Sequence, residues 1–451
     1  MVPRPHPSLE QPTRVRYWVI VFAVALAVVT YIDRVCISFA APAIREELHL
    51  DAKQLGWVFL IFNWSYAAFE IPGGFLGDRI GPRKVLMRIV MWWSFFTAAT
   101  GWTWNYVSLL FTRFMFGAGE AGCFPNLTKI FTIWLPEKER VRAQGIMWLS
   151  ARWGGAFTPL LVAWIMGLVS PNPAHPEYGW RRAFAIFGCL GVVWAVVFYR
   201  WFRDNPFDKV KMNAAERDLI REGVVSAATH VHVPWSRLMF SQPVWMLCWQ
   251  YFCLSYGCYF YVTWLPTYLK EARHLDLSQM AWLSVWPLLA GGLGNPVSVT
   301  VGNWIVRKTG NVALMRRIMA CIGFTGASGF LLYSTRFSNA NYAVAAIALA
   351  SLCNDLVMPH AWASAMDIGG KYAGTLSGAM NFWGNVGGGL GPLMIGYILS
   401  WTNNNWNLTF YVSAAIYFVG SIFWLFMDPV TPLDPKDEIA VTPRMDADAH
   451  R

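Results

Sequence analysis

Seven ionisable residues interrupt otherwise apolar stretches of this sequence: Asp33, Arg34, Glu70, Arg113, Glu120, Arg152 and Asp355. A charged side chain at the centre of a bilayer costs about 2.5–3.5 kcal/mol, so such residues face a helix bundle's interior or a water-filled path. Arginine stays charged when desolvated and grips carboxylates, which makes it a fixed anion anchor. A buried carboxyl group favours its protonated form and can bind and release protons. Together these groups indicate anion transport driven by protons; purely structural ion pairs are the alternative.

The spacing of these residues limits how they pair. Arg113 and Glu120 are seven residues apart, so a helix places them two turns apart on one face. Asp33 and Arg34 are adjacent, point in different directions, and are expected not to pair with each other.

The composition sets the elements that must hold them. The chain has 451 residues, 56% hydrophobic and 14% charged, with a mean hydropathy of +0.36. Soluble proteins carry about 25% charged residues, so a soluble enzyme, a disordered chain and a fibre are all excluded. Apolar stretches of about 20 residues, each able to span roughly 30 Å of hydrocarbon, recur along the chain. We predict twelve transmembrane helices near residues 17–43, 54–77, 85–104, 107–131, 143–168, 182–202, 243–269, 278–305, 314–334, 341–365, 372–400 and 406–427.

The chain has a net charge of +10, and its basic residues are distributed unequally between the two sides of these helices. About 26 Lys and Arg fall in loops on the side of the amino terminus, and about seven fall in the opposite loops. The positive-inside rule then predicts an inner-membrane protein with both termini in the cytoplasm. The predicted partners are the bilayer, protons and a small organic anion, with no nucleic acid, and the chain is expected to be a monomer.

A polar stretch from Arg203 to Arg237 divides six helices from six. The predicted organisation is a cytoplasmic tail (1–16), a first six-helix bundle (17–202), a cytoplasmic linker (203–240), a second bundle (241–428) and a cytoplasmic tail (429–451). Asn213 followed by Glu216 predicts a helix start within the linker, which we expect to be solvated.

The two halves resemble each other when the sequence is shifted by 233 residues. The shift places the run that begins at Arg152 on the run that begins at Asn385, with matching glycines and prolines. We therefore predict an all-α integral membrane fold of two pseudo-symmetric six-helix halves, with a substrate site at the midplane between them.

No motif predicts a metal, a cofactor or an enzyme. The eight cysteines lie in apolar stretches, and neither a C-x-x-C pair nor an H-E-x-x-H motif is present in the sequence. A membrane-embedded transferase is therefore a remote alternative.

The stretch Gly74-Phe-Leu-Gly-Asp78-Arg79-Ile-Gly81-Pro-Arg83-Lys84 resembles the loop signature of the major facilitator superfamily. The resemblance implies that it acts as a conformational latch, formed by Asp78, Arg79, Gly81, Arg83 and Lys84. Tyr31-Ile-Asp33-Arg34, the Arg113–Glu120 run and Trp264-Leu-Pro further resemble the anion:cation symporters, which include galactonate, glucarate and hexuronate carriers.

This second resemblance implies roles for individual residues. Asp33 and Glu120 match the family's proton-coupling carboxylates. Arg34 and Arg113 match its substrate-binding and coupling arginines. The tyrosines that line the sugar-acid site are matched by Tyr31 and Tyr66.

Two positions depart from the family pattern. Arg152 stands where galactonate carriers have Gln, so the sugar acid stays open and an extra cation would suit a second carboxylate. Leu254 stands where vesicular glutamate carriers have Arg, which argues against glutamate.

Several other polar residues lie within the predicted helices. Asn381, Asn385 and Asn354 are candidates for contacts to substrate hydroxyls, with ordinary interhelical hydrogen bonding as the alternative. The roles of Glu70, Asp355 and His360 stay open. The sequence thus predicts a proton-coupled symporter of a small organic anion, such as an aldonate, uronate or aldarate. Uncoupled or exchange transport of an aromatic or dicarboxylic acid is the alternative.

Overall fold

The computed structural model describes residues 11–172, 175–209, 211–223, 240–369 and 373–433, and their regular structure is helical throughout. The α-helices are α1 (Trp18–Leu48), α2 (Ala52–Ile80), α3 (Pro82–Thr100), α4 (Tyr106–Glu120), α5 (Cys123–Trp134), α6 (Glu137–Val169), α7 (Trp180–Trp201), α8 (Ala214–Gly223), α9 (Gln242–Thr263), α10 (Leu265–Glu271), α11 (Leu277–Thr309), α12 (Val312–Ser334), α13 (Ala340–Gly369), α14 (Ala373–Trp401) and α15 (Trp406–Phe426).

Each of the twelve predicted spans corresponds to one helix or to one broken helix. The fourth span is divided between α4 and α5, and the seventh between α9 and α10. Both breaks precede a proline, Pro125 or Pro266, whose missing N–H removes a helical hydrogen bond. By length and composition alone, five stretches meet a strict requirement for crossing a membrane: 15–48, 142–169, 177–201, 340–369 and 406–426.

The helices form two packed halves that meet along a shared interface. In the first half α1 packs on α6, α2 on α4 and α3 on α7; in the second, α9 packs on α14 and α13 on both α11 and α12. Between the halves, α2 packs on α14 and α6 on α11.

One end of the bundle, which we call the far face, carries residues 49–51 and 272–276. Here the halves are in direct contact: a Cβ at Gly56 would lie 3.0 Å from Cα of Leu393. Arg45 of α1 forms an ion pair with Glu271 of α10, and Lys270 lies 3.5 Å from Glu46. The far face is therefore closed by close helix packing at Gly56 and by ion pairs between the two halves.

The opposite end, the linker face, carries residues 11–17, 203–223 and 427–433. Asn213 accepts a hydrogen bond from the Glu216 backbone N–H and so caps α8, as the sequence predicts. The expectation of a solvated linker is wrong at Glu216, because its side chain is fully buried. Thr13 and the backbone of Arg16 donate hydrogen bonds to this carboxylate, which ties the linker to the start of the chain.

Candidate functional site

Glu120 is the last residue of α4, at a helix break that the local sequence creates. Gly122 adopts φ +84°, a left-handed conformation that glycine tolerates, and Pro125 follows within the next helix. A carboxylate at a helix C-terminus faces the negative end of the helix dipole. The site must therefore supply a cation for Glu120.

Arg34 of α1 is that cation. Its Nε donates a hydrogen bond to Oε1 of Glu120, whose side chain is 0% exposed. Aromatic rings surround the guanidinium, with centroids 4.7 Å away for Tyr66, 5.5 Å for Phe62 and 5.7 Å for Tyr31. The structure thus brings together four of the predicted site residues around one ion pair: Arg34, Glu120, Tyr31 and Tyr66.

This ion pair is incomplete. Nη2 of Arg34 and Oε2 of Glu120 are both buried and have no hydrogen-bond partner among the described residues. A buried donor without a partner is rare in proteins and costs about 1–3 kcal/mol. The arrangement leaves one guanidinium nitrogen available for an anionic ligand.

Asp33 and Arg113 are buried beside this pair. Both carboxylate oxygens of Asp33 lack a hydrogen-bond partner among the described residues, and Asp33 does not pair with its neighbour Arg34. The Arg113 guanidinium lies over the rings of Phe116 and Phe62, 4.4 and 5.1 Å from their centroids. Arg113 is close enough to Asp33 and Glu120 to interact with both electrostatically.

The second half contributes Tyr259, which the sequence did not predict, and Asn381 and Asn385, which it did. Tyr259 of α9 interacts electrostatically with Arg34 across the interface, and its signal in the sequence was no more than a tyrosine in an apolar helix. Nδ2 of Asn385 is buried without a hydrogen-bond partner among the described residues. Asn381 is half-buried, one turn earlier in α14.

Arg152 lies at the interface but has a protein partner. Its Nη2 donates a hydrogen bond of 2.8 Å to Oδ1 of Asp355 in α13. Asn354 does not point to a free ligand position, because its amide donates to the same oxygen at 2.8 Å and accepts from the Tyr417 hydroxyl at 3.0 Å.

His360 and Glu70 are the two remaining charged or titratable candidates. His360 is hydrogen-bonded to Ser298 at 2.9 Å within the second half. Glu70 lies one helical turn after Tyr66 on α2 and interacts electrostatically with Arg34.

The predicted latch lies at the linker face. The side chain of Asp78 is outside the described residues, while Arg79 and Lys84 are exposed. Gly81 has φ +88°, next to the carboxylate of Asp204. The Arg83 backbone N–H donates to this carboxylate at 2.9 Å, and its guanidinium donates to the carbonyl of Tyr199. Arg83 therefore joins α3 to the end of α7 within the first half.

Open surface clefts lie away from these residues. One of about 510 Å³ at the far face is lined by Arg273, Gln279, Trp282 and Asn339. It contains none of the paired buried charges, so the physical chemistry favours the interface cluster as the site. Among the described residues, no group of three His, Cys, Asp or Glu is arranged to hold a metal ion.

The comparison with known families decides the class of protein. The model of the Major Facilitator Superfamily matches residues 23–392. The chain belongs to this superfamily. A major facilitator protein is a transporter rather than an enzyme, and it is a multi-pass integral membrane protein.

Relatives and solved structures agree with this assignment. The chain is 36% identical to the probable sulfoacetate transporter SauU of Cupriavidus necator, over 96% of this chain and 98% of that protein. It is 28% identical to the probable galactarate/D-glucarate transporter GudP of Escherichia coli, over 88% of this chain and 90% of that protein.

The fold agrees with that of a bacterial homologue of the human lysosomal transporter Spinster, with a TM-score of 0.73 and 18% identity over 92% of this chain and 97% of that one. The superfamily, the all-α fold of twelve membrane helices in two halves, and the likeness to sugar-acid carriers are confirmed. Both relatives, SauU and GudP, are named as transporters of small organic anions.

Proposed function

We propose that this protein is a proton-coupled symporter of a small organic anion of the sugar-acid class: an aldonate, a uronate or an aldarate. The observation that carries the proposal is the incomplete ion pair between Arg34 and Glu120, in which one buried guanidinium nitrogen has no hydrogen-bond partner among the described residues. The substrates named for the relatives, galactarate, glucarate and sulfoacetate, are all small organic acids.

Binding begins at Arg34. A substrate carboxylate accepts hydrogen bonds from this guanidinium and competes with Glu120 for its charge. Arg113 holds positive charge beside the same cluster, while Tyr31 and Tyr66 line it and Asn385 offers an amide donor to a hydroxyl group.

Coupling follows from what happens to the carboxylates. When the substrate takes over Arg34, Glu120 loses its hydrogen-bonded cation inside a buried site and keeps only the electrostatic interaction with Arg113. A buried carboxylate without a hydrogen-bonded cation is far less stable than a neutral acid. A proton bound by Glu120 restores neutrality. Asp33 has no hydrogen-bond partner among the described residues and is suited to a second proton.

Transport requires that the two halves separate at one end of the bundle while they close at the other. We place the linker face and both termini in the cytoplasm of an inner-membrane protein, because Lys and Arg are concentrated there. The described state is then closed toward the outside by the Arg45–Glu271 pair. Substrate and proton binding shift the equilibrium between the states through their differential affinity. Residues 74–84, the end of α2 and the start of α3 around Gly81, act as the latch on the cytoplasmic side.

The same geometry fits a second class of substrate. The 36% identity to a probable sulfoacetate transporter favours a sulfonated carboxylic acid, whose oxygens bind arginine as carboxylates do.

The test starts with a thermal-shift screen of the purified protein against aldonates, uronates, aldarates, aromatic carboxylates and sulfoacetate. Uptake of each hit into liposomes is then measured with and without an imposed pH gradient. We expect accumulation above equilibrium when the lumen is the more alkaline side. Uptake that only equilibrates the anion, whatever the pH gradient, contradicts proton coupling and indicates a facilitator or exchanger.

A further inference from the structure

The ion pair between Arg152 and Asp355 joins the two halves near the middle of their helices. Arg152 is on α6 of the first half, and Asp355 is on α13 of the second. Their side chains are 14% and 1% exposed, so the contact is shielded from solvent. Residues 203 positions apart in the sequence thus meet at the interface that also contains Arg34.

This pair leaves hydrogen-bonding capacity unused on both sides. Apart from Asp355, the contacts of Arg152 are to the sulfur atoms of Cys258 and Met358, each at 3.8 Å. Sulfur is a weak acceptor, whereas a guanidinium offers five N–H donors. Oδ2 of Asp355 is buried without a hydrogen-bond partner among the described residues. Arg152 can therefore bind further oxygen atoms.

Arg152 and Arg34 are both near the side chain of Tyr31. The guanidinium of Arg34 is 5.7 Å from the ring centroid of Tyr31. On α6, a Cβ at Gly155 would lie 2.9 Å from Cδ1 of the same ring, and Gly155 is three residues after Arg152. Tyr31 also interacts electrostatically with Arg152. Both arginines thus interact with the same side chain.

We propose that Arg152 is a second anion subsite, and that the transported substrate carries two anionic groups. One group binds Arg34, and the other replaces the carboxylate of Asp355 on Arg152. In the empty protein Asp355 occupies the position of the second group. The substrates are then dicarboxylates or sulfonated carboxylates rather than monoanions. This inference rests on the proposed function, because it extends the site centred on Arg34.

Charge balance gives the proposal a second consequence. A dianion that binds both arginines displaces Glu120 and Asp355 from their ion pairs in a buried interface. Arg113 stays near Glu120 and Asp33. Two additional negative charges in a buried interface are strongly destabilising, so protons enter the site together with the dianion. The expected cycle carries two protons with each dianion, which keeps the net charge of the site as it is in the empty protein.

The surroundings of Asp355 leave Arg152 as its charged partner among the described residues. Cys258, Tyr261 and Tyr417 are the titratable groups that interact with it, and all three are neutral near pH 7 in their ordinary state. On α11 the residue next to this carboxylate is uncharged, since a Cβ at Gly291 would lie 3.2 Å from Oδ2 of Asp355.

The test uses two pairs of probes in which one carboxylate is exchanged for a CH₂OH group: glucarate with gluconate, and sulfoacetate with isethionate. Affinity is measured by thermal shift and by inhibition of uptake in liposomes. We expect wild-type protein to bind the dianion of a pair more tightly. In Arg152→Gln, dianion binding should weaken by about 10- to 100-fold, the value of one charged hydrogen-bonded contact, with little change for the monoanion.

Two variants make the test specific. Asp355→Asn removes the competing carboxylate and keeps the cation, so dianion binding should tighten. Arg45→Gln is the control, because it breaks the ion pair with Glu271 that joins the halves at the far face, away from Arg152. It should change dianion uptake and monoanion uptake by the same factor.

Two results would overturn the inference: an equal loss of affinity for dianion and monoanion in Arg152→Gln, or unchanged affinity for the dianion in Asp355→Asn. The ion pair would then only hold the two halves together. A wild-type preference for monoanions, driven by a pH gradient, overturns the inference while the proposed function stands. Transport of none of these anions overturns both.

Discussion

Two largely buried arginines of this protein, Arg16 and Arg34, each pair with a fully buried glutamate, yet they use their donors differently. At the linker face, Nε and Nη2 of Arg16 donate to the two carboxylate oxygens of Glu139, both at 2.9 Å. Nη1 donates to Glu216 and to the carbonyl of Thr13, both at 3.1 Å. Nη2 also reaches the Tyr17 hydroxyl at 2.9 Å.

Arg34 presents the opposite case at mid-helix. Its hydrogen bond goes to Glu120, its Nη2 has no hydrogen-bond partner among the described residues, and aromatic rings fill the remaining space. An arginine whose donors are all used holds a structure together, whereas one with a buried free donor is prepared for a ligand. The comparison teaches that Arg16 and Arg34 differ in how fully their donors are used, although both are largely buried and both pair with a glutamate.

The largest effect is expected at Arg34. Arg34→Ala removes the anion anchor, so binding of anionic substrates should weaken by about 10- to 100-fold or be lost, with a much smaller change for neutral analogues. Arg34→Lys keeps the charge that Glu120 needs but lacks the planar fork, and should give an intermediate loss. Thermal shift and uptake assays measure both. An equal loss for anionic and neutral ligands would remove Arg34 as the anchor.

Arg16→Gln should affect stability instead of binding. It leaves Glu216 buried without its cation, and breaking a buried pair costs about 3–5 kcal/mol. We expect a lower unfolding temperature in detergent, with the substrate affinity of the folded protein unchanged. If affinity falls and stability does not, the division of roles between Arg16 and Arg34 is wrong.

The smallest effect is a pH dependence at the linker face. Hydrogen bonds from Arg16, opposed by partial burial, lower the pKa of Glu139 from its ordinary value. Because the folded pKa is depressed, the contribution to stability is present above the unfolded pKa of about 4.3 and is lost as pH falls through the folded value.

The matched variant for this effect is Glu139→Gln. The difference in unfolding temperature between wild type and this variant should be constant above about pH 5 and should shrink on further acidification. A difference that grows toward low pH contradicts the assigned sign.

The sequence was sufficient for the fold and for the individual charges. Hydropathy located the twelve predicted spans, each of which corresponds to one helix or one broken helix, and the cost of a charge in lipid marked Arg34, Glu120 and Arg152. Partners were harder to predict because they depend on packing between distant segments. The pairing of Arg152 with Asp355 joins two halves of the chain, and no local pattern indicates it.

The linker shows the same limit. Its composition indicates solvent exposure, and the helix start at Asn213 was read correctly. The burial of Glu216 depends on residues 13–16 folding back across the linker face, which the composition of the linker itself does not encode.

The most direct test of the central claim is transport by Glu120→Gln in liposomes. Glutamine keeps the shape of the neutral acid and an acceptor for Arg34, but it cannot exchange a proton. The account predicts that accumulation driven by a pH gradient is abolished while exchange of internal for external substrate continues. Unchanged accumulation in this variant would show that Glu120 does not couple protons to the anion at Arg34.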